Sequence, residues 1–235
     1  MLQAILFDLD GTLLPMDNDH FTRVYFQLLA ETARDWGYTD PDQMVRTIWA
    51  GVEAMVRNDG ARSNYDAFWQ VFGQCYGQDK LADIPKFSRF YDGPFRRAVS
   101  AASPTPLART AVSLAHRKAE HVILATNPVF PHNADLVRLE WLGLGESDFD
   151  LITDYENCSR SKPNPNYYRD ILARFDLEPS QCLMIGNDVS EDFEAARAVG
   201  IPVYLVTDFL INRKDAPFDC PSGSYGDMIA YLQSL

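Results

Sequence analysis

Only four cysteines occur in the 235 residues, Cys75, Cys158, Cys182 and Cys220, and no two of them form a C-x-x-C pair. Zinc-binding spacing is therefore absent, and reduced thiols of a cytoplasmic protein are expected. Cys182 precedes the apolar run Leu183–Ile185 and reads as a small, inert core residue. No apolar run approaches the ~20 residues of a membrane span. A signal peptide is not expected ahead of a motif that begins within the first ten residues. A basic stripe is also missing. Against 21 Lys and Arg stand 33 Asp and Glu, a net charge of −12. That balance excludes an ordinary nucleic-acid binder and repels anionic membranes. It leaves a phosphorylated substrate open, because a site can be locally positive inside a negative protein. Internal repeats and low-complexity segments are absent too. With 46% hydrophobic and 23% charged residues, the chain has the composition of an ordinary globule. Its length allows one large domain, or one domain with an insertion.

Short continuous apolar runs recur at Ala4–Phe7, Val122–Ala125, Leu183–Ile185 and Val203–Val206, with a weaker one at Leu151–Ile152. Such runs suit strands buried on both faces, as in a parallel sheet. Thr105-Pro106, Asn164-Pro165 and Asp40-Pro41 each offer an N-cap followed by proline at the first helical position. Pro131 is expected to open another helix, and Gly143 and Gly200 to end helices. From about residue 105 onward the alternation of strand and helix predicts a doubly wound α/β core. The tail Ser222–Leu235 reads as a turn and a closing helix.

Residues 16–97 contain no strand run. Phe21, Tyr25, Leu28, Leu29, Thr32 and Trp36 share one helical face. Met44, Ile48, Val52 and Met55 share another, and Tyr65, Phe68, Trp69, Phe72 and Tyr76 a third. Fifteen of the 29 aromatic residues fall here, enough to core a small helical bundle. The segment interrupts the sheet after its first strand. The expected division is therefore an α/β catalytic core of residues 1–15 and 98–235 with an inserted helical domain of residues 16–97.

The stretch Phe7-Asp8-Leu9-Asp10-Gly11-Thr12-Leu13 carries the chemistry. Ligand sites of open α/β sheets lie at the carboxyl ends of strands. Two carboxylates there repel each other, and each pKa rises unless a cation shares the site. A hard dication with oxygen ligands answers this, and Mg²⁺ prefers one or two carboxylates plus waters. Three later strand ends add to the pattern. Thr126 and Asn127 offer hydrogen-bond donors for a phosphate oxygen. Lys162, in Ser161-Lys-Pro-Asn-Pro165, can neutralise a phosphoryl group and Asp8. Gly186-Asn187-Asp188-Val-Ser-Glu-Asp192 supplies an acidic loop ahead of a helix.

In this order the four motifs resemble the haloacid dehalogenase-like hydrolases, mostly phosphatases despite the name. The resemblance covers about residues 1–15 and 100–210. It implies a Rossmann-like sheet core with a mobile helical cap inserted after the first motif. The 34 residues between Asn127 and Lys162 are too few for a second cap. It further implies that Asp8 is the nucleophile, forming an aspartyl-phosphate, and that Asp10 is the general acid and then the base. Thr126 and Asn127 would orient phosphoryl oxygens, and Lys162 would offset charge. Mg²⁺ would be held by the Asp8 side chain, the Asp10 carbonyl and an acidic-loop residue. Many relatives place Asp directly after the glycine of that loop, where this chain has Asn187. Asp188 is preferred here as the metal ligand, because a carboxylate binds Mg²⁺ better than an amide. Asn187 and Asp192 are the alternatives, Asp192 also as a water-mediated partner.

The implied activity is hydrolysis of a small phosphorylated metabolite by a monomer or homodimer. A phosphosugar mutase of the same fold is one alternative, and a non-catalytic phosphate-binding or scaffold protein another. A dehalogenase attacks carbon without metal and has no use for Asp10. A phosphonate hydrolase would need a cap lysine, for which Lys80 and Lys86 are the candidates. Arg160 is a further candidate contact to an anionic substrate. His20, His116, His121 and His132 read as surface or capping residues.

Overall fold

Each apolar run becomes a strand of one parallel sheet. The computed structural model describes residues 1–235. Six strands, β1 (Leu2–Phe7), β2 (Ala119–Leu124), β3 (Leu151–Ile152), β4 (Cys182–Gly186), β5 (Val203–Val206) and β6 (Ser222–Gly223), pair in the order β3-β2-β1-β4-β5-β6. All neighbours run parallel. The runs are continuous because both faces are covered. Ile5, Phe7, Val122, Leu124, Leu183 and Ile185 enter one hydrophobic cluster. Ala4, Leu6, Ile123, Cys182 and Met184 enter the other. Successive side chains alternate between faces, so a strand with two buried faces shows no polar positions.

Helices α5 (Leu107–Lys118), α6 (His132–Trp141) and α9 (Tyr225–Ser234) pack into the first cluster. Helices α7 (Pro165–Arg174) and α8 (Ala195–Arg197) pack into the second. The chain leaves β1 toward β2 and β3 on one side and returns to β4, β5 and β6 on the other. Strand β1 is thus the switch point, where a crevice opens beyond the carboxyl ends of the strands. The ladder continues one residue past the strands there. Asp8 N–H donates to the Ile185 carbonyl at 2.9 Å, and Ala125 N–H to that of Phe7 at 2.7 Å.

Between β1 and α5 the chain adds no strand to the sheet and its regular elements are helical, with α1 (Asn18–Arg34), α2 (Pro41–Val56), α3 (Asn64–Tyr76) and α4 (Ile84–Asp92). Side chains of Asp17, Asp40 and Ser63 cap the first three, accepting from the N–H of His20, Gln43 and Asp66. Their apolar faces meet in an aromatic cluster in which Phe72 lies 5.1 Å from Trp69 and 5.2 Å from Phe87, ring centre to ring centre. Of the predicted stripe on α1, Phe21, Tyr25, Leu28 and Leu29 are buried, whereas Thr32 and Trp36 are only half-buried. Entry and exit of the segment are tied together by a bridge between Met16 and Ala102 and by Ser103 N–H donating to the Pro15 carbonyl.

Three details depart from the sequence reading. Helix α5 begins at Leu107, with Pro106 ahead of it, but Thr105 Oγ1 still accepts from Leu107 N–H at 3.3 Å. Strand β6 stands where a turn is expected. Two short residues at a sheet edge carry no hydrophobic pattern, and backbone bonds to β5 hold them, Thr207 N–H to the Gly223 carbonyl at 2.8 Å among them. Helix α4, which buries Phe87 and Phe90, and the flanking 3-10 turns, Gln78–Asp83 and Pro94–Ala101, are not among the expected helical faces. The turns are short, and tertiary contacts decide them. No helix is long and apolar enough to cross a membrane.

Candidate active site

Asp8 leaves the end of β1 pointing into the crevice, and a fully buried lysine meets it. Lys162 Nζ donates to Asp8 Oδ1 at 3.0 Å and to Asp192 Oδ1 at 2.6 Å. Lys162 lies just ahead of α7, whose cap Asn164 accepts from Asn166 N–H at 3.0 Å. The second oxygen of Asp192 accepts from the N–H groups of Asn187 and Asp188 at 2.9 and 3.0 Å. Only glycine at position 186 permits this approach, since a Cβ there would stand 2.2 Å from Asp192 Cγ. One ammonium thus serves two buried carboxylates. Burial pushes the Asp8 carboxyl up to about 8, with Lys162 opposing and Asp192 and Asp10 reinforcing. Burial by itself disfavours the Lys162 charge, but Asp192 and Asp8 hold its pKa well above the ordinary lysine value.

Gly11 turns the chain out of the strand with φ +86°, and a Cβ there would meet the Asn187 amide nitrogen at 2.2 Å. The turn returns Thr12 to the site. Its hydroxyl lies 3.2 Å from Asp8 Oδ2 and 3.1 Å from Asn187 Oδ1, within hydrogen-bond reach of both. Asp10 pairs with Arg138, a fully buried residue of α6 that also pairs with buried Asp135 and lies 4.5 Å over the Phe130 ring. Burial raises the Asp10 carboxyl above its ordinary value, with Arg138 and Lys162 opposing. Asp10 Oδ1 and Asp135 Oδ2 are buried without a hydrogen-bond partner. Sequence reasoning did not find Arg138, Asp135 or Thr12. An arginine three residues after an aspartate on a helix reads as a solvated pair.

The end of β2 and the acidic loop close the crevice. Thr126 and Asn127 follow Ala125 and line the cavity with Asp8 and Asp10. The Thr126 carbonyl accepts from the Thr153 and Tyr167 hydroxyls at 2.8 and 2.9 Å, which fixes this loop. The Asn127 amide nitrogen donates to Glu191 Oε2 at 2.9 Å, while its Oδ1 is buried and unpartnered. Glu191 is another residue that motif spacing did not single out. Burial pushes its carboxyl up to about 7, against the pull of Lys162. Asn187 is engaged at both ends, donating to the Phe209 carbonyl at 2.7 Å and accepting from Thr12. Asp188 caps the π-helical turn Val189–Glu194, accepting from Ser190 and Glu191 N–H through Oδ1 alone. Its other oxygen takes no part in the cap. Of the three candidate ligands in this loop, Asp188 therefore has an oxygen to give, whereas Asn187 and Asp192 are held by the protein.

One cavity of about 660 Å³ joins these groups to the helical segment. Asp8, Asp10, Thr126, Asn127, Asp188 and Glu191 form its polar end, and Lys162 backs it from behind Asp8. Other candidates lie elsewhere. Arg160 forks onto Asp170 at 2.7 and 3.0 Å and does not line the cavity, so it is not placed to hold a substrate there. Lys80 and Lys86 pair with Asp83 at 3.9 and 2.6 Å, also outside the cavity. Neither of these two lysines is thus placed for the Schiff base of a phosphonate hydrolase. His132 Nδ1 lies 2.9 Å from buried Asp154, and His116 Nε2 lies 3.0 Å from the Asp148 carbonyl.

Comparison with known proteins agrees with this geometry. The pattern of the haloacid dehalogenase-like hydrolases matches residues 2–200. The chain is 26% identical over 211 residues to a ribulose-1,5-bisphosphate 5-phosphatase of Halopiger xanaduensis, covering 87% of this chain and 84% of that one. It is 27% identical over 210 residues to a phosphoglycolate phosphatase of Rhodospirillum rubrum, covering 88% and 80%. The fold superposes on the crystal structure of CbbY from Rhodobacter sphaeroides in complex with phosphate with a TM-score of 0.61, at 17% identity and 99% and 100% coverage.

Proposed function

The chain belongs to the haloacid dehalogenase-like hydrolases, and on that premise we propose that it is a Mg²⁺-dependent phosphatase of small phosphomonoesters, with residues 16–97 as a cap over the site. The observation that carries the reading is the buried Lys162 bridging Asp192 and Asp8, with Asp8 two residues before a second carboxylate at Asp10.

The residues present fit a dication. The polar end holds five carboxylates, those of Asp8, Asp10, Asp188, Glu191 and Asp192, against the ammonium of Lys162 and the guanidinium of Arg138, which Asp135 shares. Mg²⁺ keeps several waters and takes one or two carboxylates, so it asks for few protein ligands. The Asp8 side chain, the Asp10 carbonyl and the free oxygen of Asp188 would hold it. Bound there, it would polarise the phosphoryl group and offset charge among the carboxylates.

In its ionised form, with the Lys162 ammonium beside it, Asp8 attacks phosphorus in line with the leaving alcohol, forming an acyl phosphate as the P–O ester bond breaks. Asp10, which burial keeps toward its acid form, gives the departing oxygen its proton. It then takes a proton from the water that attacks the Asp8 phosphate, which restores both carboxyls and releases inorganic phosphate. Lys162 holds Asp8 in place and lowers the charge the phosphoryl group meets. Thr126 orients a phosphoryl oxygen from the end of β2, and Asn127 does so once its amide leaves Glu191. The helical segment excludes water while Asp10 acts. A mutase would run the same steps with a sugar as the acceptor. The cavity does not favour that reading, because 16 of its 29 lining residues are hydrophobic.

Phosphate release from para-nitrophenyl phosphate, with Mg²⁺ and with EDTA, tests the proposal. Turnover lost with EDTA and with Asp8→Asn is expected. Activity retained by Asp8→Asn would sink the mechanism, and label transfer between sugar phosphates without phosphate release would mark a mutase.

A further inference from the structure

The cavity has two ends of opposite character, and the far end bears on what the leaving alcohol is. Helix α1 contributes Phe21, Tyr25 and Phe26, and α2 contributes Ile48, Trp49 and Val52. Across the whole helical segment no lysine or arginine lines the cavity, and the single charged lining residue is Asp19. The one cation among the lining residues is Arg213. It follows Ile211 by two residues, and the Ile211 carbonyl accepts from Val189 N–H while its N–H donates to the Asn187 carbonyl. Arg213 is thus carried by the backbone that is tied to the acidic loop, and not by α1 or α2.

Trp49 stands out on this wall. It remains 51% exposed although it is tryptophan, with its ring 5.8 Å from Phe26. Asn18, at the start of α1, adds one buried acceptor, Oδ1, with no partner. A substrate whose alcohol carries a carboxylate or a second phosphate would set that charge against aromatic rings and Asp19, on a wall that offers no cation to pair with it. Desolvating an unpaired anion is far costlier than burying hydrocarbon is favourable. A volume of about 660 Å³ also exceeds what a two-carbon acid phosphate fills, and lies within the range of pockets for drug-sized ligands.

We infer that the substrate is a phosphomonoester of an uncharged, apolar alcohol of about the size of an aromatic ring or larger, seated between α1 and α2 against Trp49, with Asn18 free to accept one hydrogen bond from it. This inference rests on the phosphatase reading for its chemistry, but its specificity claim is read from binding alone.

Three monoesters of primary alcohols keep the leaving group comparable: phenethyl phosphate, ethyl phosphate and phosphoglycolate. Calorimetry with the full-length Asp8→Asn protein and Mg²⁺ measures their affinities, and phosphate release by the unaltered enzyme measures kcat/KM. Phenethyl phosphate is expected to bind at least about tenfold tighter than either of the others. Trp49→Ala should shrink that ratio several-fold, and Val52→Lys, which adds a cation to the same wall, should shift preference toward phosphoglycolate. Equal affinities, tighter binding of phosphoglycolate, or a ratio unmoved by both substitutions would overturn the inference, whatever the turnover. No turnover of any ester would instead overturn the phosphatase reading, and a preserved affinity order would then still uphold the specificity.

Discussion

Two carboxylates of the crevice, Asp8 buried and Asp10 half-buried, flank the expected chemistry, and each answers to a different cation. Asp8 answers to Lys162, and Asp10 to Arg138. Replacing the nucleophile by its amide keeps shape and loses the attack. Asp8→Asn should lower kcat by about three or more orders of magnitude in a phosphate-release assay, with an unchanged circular dichroism spectrum. Arg138 is the sharper test of what holds Asp10. Arg138→Met leaves the Asp10 and Asp135 carboxyls facing each other without a cation, and removing one partner of a buried ion cluster costs about 3–5 kcal/mol. Urea denaturation should show a loss of that order. The double variant Arg138→Met, Asp135→Leu should regain most of the stability while kcat stays low, because Asp10 has still lost the group that positions it. Asp8, Asp10 and Lys162 were legible as types at strand ends. Arg138 was not, because nothing in local spacing distinguishes an arginine that faces solvent from one that crosses to another strand.

At the scale of elements, the acidic loop depends on Gly186 and on the π-helical turn that follows it. The Asp192 carboxylate lies over the Gly186 Cα, accepts two N–H groups and holds Lys162. Gly186→Ala forces Asp192 aside. We expect a stability loss of about 1–3 kcal/mol by thermal or urea unfolding. Turnover should fall beyond what that loss explains, because Lys162 loses its second anchor. Turnover equal to the parent enzyme would show that the Asp192–Lys162 pair is dispensable. The strands and most helix starts were readable because burial on two faces and capping chemistry are local properties. The two-residue β6 was not, since it is too short to carry a period, whereas α4 does carry one, in Ile84, Phe87, Phe90 and Tyr91, that the sequence reading passed over.

For the molecule as a whole, the acid-rich crevice makes stability depend on pH. Burial raises Asp8 to about 8 and Glu191 to about 7, far above unfolded carboxylates. Between these limits the folded state binds more protons than the unfolded one, so unfolding free energy falls as pH rises. The contribution is complete below about pH 4 and is lost as pH climbs through 7 and 8. The metal-free protein should therefore melt lower at pH 8.5 than at pH 5.5. Asp8→Asn, neutral throughout, should flatten that dependence. Added Mg²⁺ should raise the melting temperature more at pH 8.5, where the carboxylates are charged, than at pH 5.5. A melting temperature that rises with pH in EDTA would contradict the burial of these groups.

What local chemistry could decide was written along the chain. Apolar runs marked the strands, Asp40 and Asn164 marked helix starts, and Asp8-Leu-Asp10-Gly11 marked the place where a buried strand turns outward. Those features act over a few residues, and a linear reading reaches them. Which groups meet was decided only by the folded sheet. Strand order puts the ends of β1, β2 and β4 side by side, and so brings Lys162 to Asp8 across 154 positions and Arg138 to Asp10 across 128. The cavity arose the same way, because residues of α1 and α2 line it together with those at the ends of β1, β2 and β4. Charge balance and burial are properties of neighbours in space, and the chain order of the residues does not contain them.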